Sequence, residues 1–193
     1  YVQFCFHTKR YERAWEIMWE VISNPTFHIQ NTVLKDEINI SLGYLQYLSK
    51  VDMIKITRRQ MAKLESLNLE SFISIAPTFQ KDKRGLNIQI LVSQILLNLF
   101  EKNEFALHNR IDGINKYRTR HINKDDEAYR TELFIKMLNR LEKSDYNRRV
   151  IARKAEKYYR ELRKTPMHTD KQIQVSEIIP YEDIWELILL ALN

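Results

Sequence analysis

The side chains of this sequence best able to do chemistry are five histidines, one cysteine and a scatter of carboxylates, and their spacing groups none of them. Histidine stands at 7, 28, 108, 121 and 168. No two have the i, i+4 spacing that puts both imidazoles on one helix face, and none lies beside a second cysteine. A metal would need ligands gathered from distant helices, so no metal and no cofactor is expected. Cys5 sits among Tyr1, Phe4 and Phe6, which describes a buried thiol. Its nearest base, His7, is two residues on and faces another side of a helix. The pairs Asp125-Asp126 and Glu182-Asp183 fall at expected helix starts, where the macrodipole favours carboxylates. Gly43, Gly85 and Gly113 are isolated, so no loop cradles phosphate. There is no nucleophile elbow and no kinase-type signature. No catalytic residue is expected, and the chain is read as a non-enzyme.

Two patterns suggest binding instead. The segment 146–164 carries eight basic side chains against Glu156 and Glu161, an excess of six that equals the whole chain's formal charge of +6. On a helical wheel Ile151, Ala155, Tyr158 and Leu162 share one side. Arg149, Arg153, Lys157, Arg160 and Lys164 lie roughly opposite, which makes an outward basic stripe. Such a stripe is a solvated face, a contact for an acidic protein or peptide, or a contact for a nucleic-acid backbone extended by Arg118, Arg120 and Lys124. The second pattern is Tyr11, Trp15 and Trp19 at i, i+4 and i+8, one aromatic row on one helix. It is either packing surface between repeats or an anchor row for a partner.

The elements that must position these residues are helices. Three glycines and four prolines in 193 residues are too few for an all-β chain, and no strand–helix alternation appears. The single cysteine rules out an internal disulfide framework. No run of about 18 apolar residues is present, so no membrane span is expected; no secretory segment is visible, and a cytoplasmic location is expected. A single helical domain, 1–193, is read in three parts: N-terminal hairpins over 1–84, irregular at 51–84; C-terminal hairpins over 85–164; and a connector with a final capping helix over 165–193. The opening at Tyr1, inside an apolar pattern, suggests a piece of a longer protein.

The helices read from the pattern are the end of a first helix at 1–10, a partner at 11–23 closed by Pro25, and a long helix at 33–50. That long helix carries Leu34, Ile38, Leu42, Leu45 and Leu48 as a stripe, with Gly43 set for close approach of a neighbour. Ser66–Ala76 is read as a short helix closed by Pro77. Leu86–Lys102 is apolar nearly all round and therefore central. Glu104–His121 returns along it, burying Phe105, Leu107, Ile111, Ile114 and Tyr117. A helix to about Lys143 and a basic one at 146–164, capped by Ser144-Asp145, follow. A last helix begins after Pro180.

Tyr11, Ala14 and Pro25, the pair Leu42-Gly43, and the hairpin Leu86–Ile122 with Phe105 in the aromatic place make a pattern that resembles tetratricopeptide (TPR) repeats. It is similar to the C-terminal part of TPR-like proteins of Bacteroidetes-type bacteria, a likeness that brings no activity with it. The distance from Tyr11 to Phe105 is not a multiple of the roughly 34-residue TPR period. His108 stands where a small residue is usual. The resemblance implies an all-α, right-handed α-solenoid of antiparallel hairpins, with seven to nine helices, that presents a groove to a protein or peptide. A nucleic-acid-associated domain using the 146–164 face is the alternative.

Overall fold

Nine α-helices and no strand occur among the described residues, 1–24, 32–67, 86–121, 126–167 and 177–192 of a computed structural model. They are α1 (Val2–His7), α2 (Tyr11–Ser23), α3 (Thr32–Lys50), α4 (Arg58–Ser66), α5 (Leu86–Phe100), α6 (Glu104–His121), α7 (Asp126–Glu142), α8 (Arg148–Lys164) and α9 (Tyr181–Ala191). The all-α expectation and the helix count hold for these residues. Of the expected Ser66–Ala76 helix, Ser66 ends α4 and residues 68–76 fall outside those described, as does the 168–176 part of the connector.

Helices α1, α3, α5 and α7 all end the same way. A residue two or three beyond the last helical one has positive φ: Lys9 at 56°, Asp52 at 58°, Lys102 at 54° and Asp145 at 47°. The next N–H then reaches back five residues. Arg10 donates to the Cys5 carbonyl at 2.8 Å, Met53 to Leu48 at 2.9 Å, Asn103 to Asn98 at 3.0 Å and Tyr146 to Leu141 at 3.3 Å. These are Schellman turns, which satisfy carbonyls the helix leaves orphaned. None of the four uses glycine. A helix start follows closely after each. Asn103 Oδ1 accepts from the Ala106 N–H at 3.1 Å. Asn147 Oδ1 accepts from Val150 at 3.1 Å, so Asn147, not Ser144-Asp145, caps the basic helix. Before α4, Thr57 and Gln60 form a reciprocal capping box within the stretch expected to be irregular.

Helix α5 lies at the centre, packed on α3, α6 and α9, as its all-round apolar character requires. Gly43 of α3 faces Ser93 of α5, and a Cβ on it would stand 3.6 Å from the Ser93 Cβ. The close approach expected at Gly43 is therefore real. Packing proceeds along the chain, α5 on α6, α6 on α7 and α7 on α8.

Helix α9 departs from expectation. Instead of closing one end, it packs against α5, α7 and α8, and its carbonyl at Leu187 accepts from the Tyr47 hydroxyl of α3 at 2.9 Å. Its first turn reaches the opposite end of the chain, where Lys9 Nζ lies 2.8 Å from Asp183. Ile184, Trp185, Leu187 and Ile188 are all buried. An 11-residue helix apolar on most faces fits only where neighbours surround it. Two smaller corrections accompany this one. Leu34 is exposed at the start of the α3 stripe, and Phe105 is 79% exposed, while Leu107, Ile111, Ile114 and Tyr117 are buried as expected.

Candidate functional site

The basic helix α8 places its apolar side inward and its charges outward. Ile151, Ala155 and Leu162 are buried. Arg149, Arg153, Lys157, Arg160 and Lys164 are all exposed, on one face. They run i, i+4, i+8, i+11 and i+15, so the row is about 22 Å long. Arg160 Nε pairs with Glu156 at 2.6 Å. Arg149, Arg153, Lys157 and Lys164 have no carboxylate partner among the described residues. Every exposed residue of α8 is charged.

The two tyrosines of α8 flank this face and are held in place. Tyr158 accepts a hydrogen bond from Arg140 Nη2 at 2.9 Å, with Arg140 at 5.4 Å and Lys157 at 4.7 Å from its ring centroid. The Arg140 bond, with the nearby Lys157, draws the Tyr158 hydroxyl below its ordinary pKa. Tyr159 donates to Glu186 of α9 at 2.9 Å, and Arg163 lies 5.9 Å from its ring centroid. Arg118 is half-buried on α6. The side chains of Arg120 and Lys124 lie outside those described.

A buried ion cluster positions the C-terminal end of α8. Arg130 of α7 and Glu177 are almost wholly buried. Arg130 Nε donates to Glu177 Oε1 at 2.7 Å and Nη2 to Glu177 Oε2 at 2.9 Å. Nη2 also donates to Glu182 at 2.5 Å. Nη1 donates to the carbonyls of Leu162 at 3.0 Å and Thr165 at 2.5 Å. Those two carbonyls belong to the last turn of α8 and to its C-cap residue. Glu177 Oε2 also accepts from the Tyr181 N–H at 2.9 Å, which caps α9. Burial pushes the Glu177 carboxyl up, against the pull of Arg130 and the Tyr181 N–H. Burial alone would lower Arg130, but Glu177 and Glu182 hold it above its ordinary value. One side chain thus ties α7, the end of α8 and the start of α9 together.

This cluster was missed in the sequence. Glu182 and Asp183 carry the signal of favourable charges at a helix start, whereas both are ion-pair partners, of Arg130 and Lys9. A signal was present: Arg130 shares the stripe of Phe134, Met137 and Leu141, and a cation on an apolar stripe calls for a buried partner.

The aromatic row is core. Tyr11 is 5% exposed and Trp15 2%; only Trp19 is half-buried, its ring centroid 5.9 Å from that of Trp15. Tyr11 and Trp15 are therefore not available to a partner. Cys5 is buried. His7 Nε2 lies 2.8 Å from the Glu177 carbonyl, and His108 pairs with Glu142 at 2.9 Å. Among the described residues no three metal-ligating side chains gather, and no helix is long and apolar enough to cross a membrane. A pocket of about 160 Å³ opens between the turns after α5 and α7 and the end of α9, lined by Leu99, Leu107, Tyr146, Ala191 and Leu192 together with Lys102 and Glu104.

Compared with protein-family models, with curated proteins and with solved structures, the chain matches none.

Proposed function

We propose that this protein is a non-enzymatic binding scaffold made of TPR-like helical hairpins, and that it engages a partner of opposite charge through the outer face of α8. The observation that carries the reading is the exposed row of Arg149, Arg153, Lys157, Arg160 and Lys164, four of them without a carboxylate neighbour among the described residues. Groove-borne peptide binding, the leading expectation from sequence, loses two of its three aromatic anchors to the core. The Schellman turns after α1, α5 and α7, each followed by a helix that packs back on the one before it, support the hairpin part of the proposal, as does the sequential packing of α5 to α8. The reach of α9 back to α1 and α3 sets this scaffold apart from an open solenoid, in which each unit touches only its neighbours.

The test is affinity capture from native lysate with the intact chain and with a variant carrying Arg149→Glu, Arg153→Glu and Arg160→Glu. The scaffold reading expects a retained partner that the variant loses while its helical circular dichroism is unchanged. Equal retention by both proteins would overturn the assignment of the α8 face.

A further inference from the structure

Resting on that reading of α8, we infer that the partner is the phosphate backbone of duplex nucleic acid, held without regard to base sequence. Three features of the face support this. First, a protein interface needs a desolvated core of aromatic or aliphatic anchors, and charged residues are depleted there. The outer face of α8 has no such anchor, because each of its exposed residues is charged. Nucleic-acid interfaces are polar and strongly positive, and the backbone contact is electrostatic. Second, Arg149 and Arg153 carry guanidinium groups, whose forked donors match phosphate oxygens in pairs. Third, the row is straight and about 22 Å long, enough to follow roughly six base pairs at 3.4 Å each.

The same geometry limits what can be read. The Tyr158 and Tyr159 hydroxyls are bonded to Arg140 and Glu186, and cations stand near both rings. They are not free to stack on bases, which binding to a single strand would use. Helix α8 is packed against α7 and α9 on its inner side, so only half its circumference is open. It lies along the backbone instead of entering a groove to read base edges. The Arg160–Glu156 pair removes about one cation from the count, leaving four phosphate contacts.

The experiment is fluorescence anisotropy of the full chain with mixed-sequence duplex DNA of about 20 base pairs across a salt series. Four contacts predict a log–log salt slope of about −3.6, so that doubling the salt weakens binding about twelvefold. Arg153→Ala should reduce the slope by about 1 and weaken every sequence alike. Duplexes of different sequence should bind within about threefold of one another, and a single strand of equal length more weakly. Polyglutamate of matched charge and phosphatidylserine vesicles serve as the acidic-protein and lipid probes. Binding to either as tight as to duplex DNA, or a flat salt response, would overturn the inference. If DNA fails while the triple charge reversal still abolishes partner capture, the α8 scaffold reading stands and only the nucleic-acid assignment falls. If the reversal changes neither measurement, both fall.

Discussion

Arg130 uses every N–H of its guanidinium group, on two carboxylates and two carbonyls. Removing it strands the buried Glu177 carboxylate and reopens the last turn of α8. Arg130→Ala should therefore cost about 3–5 kcal/mol in urea-unfolding free energy. A double replacement, Arg130→Met with Glu177→Met, should cost less than Arg130→Met alone, because the fully buried carboxylate goes with its partner and only the partly exposed Glu182 is left. Gly43 predicts the opposite sign for a small change. Alanine there would bring its Cβ into ordinary contact with Ser93 and remove the helix penalty of glycine. Gly43→Ala should raise stability by up to about 1 kcal/mol, and Gly43→Leu should lower it by overpacking. The same unfolding titration checks both.

The four Schellman turns make the element scale unusual, because non-glycine residues bear the left-handed conformation. That costs about 1–2 kcal/mol for an ordinary side chain and less for aspartate. Lys102→Gly should therefore raise the thermal midpoint more than Asp52→Gly, and Lys102→Val should lower it. Absence of glycine is also why these turns were hard to read: Lys9, Asp52, Lys102 and Asp145 look like ordinary polar residues, and only the break in apolar period marks the joint. The helices themselves were legible, since Ile151, Ala155 and Leu162, or Leu133, Phe134, Met137 and Leu141, repeat at helical spacing. The outward turn of Arg149, Arg153, Lys157, Arg160 and Lys164 followed from the same period. What was hidden depended on residues far apart in the chain. Periodicity shows that Tyr11 and Trp15 share a face but not which neighbours cover it. Nothing local to Arg130 points to Glu177. Phe105 shows the converse error, a large aromatic one position off the buried stripe that Leu107 and Ile111 define.

At the scale of the molecule, Tyr44, Tyr47 and Tyr181 sit in the core at full burial, and desolvation raises all three hydroxyls above their ordinary value near 10. Burial likewise raises Tyr11, to about 12. A folded state that holds protons the unfolded chain would release has full stability below pH 10 and loses it above. The three core tyrosines should each cost about 1.4 kcal/mol per pH unit beyond that point. Urea midpoints should be flat from pH 8 to 9.5 and fall steeply by pH 11. Phenolate absorbance should rise together with unfolding instead of before it for the core tyrosines. The way α9 sits among α1, α3, α5, α7 and α8 has a consequence for biosynthesis. Those helices leave the ribosome first, with the faces that α9 will cover still bare. At about 5–20 residues per second, roughly 90 residues separate α5 from α9, a delay of roughly 5–20 seconds. The nascent chain spends that interval with apolar surface open to chaperones, until α9 arrives to cover it.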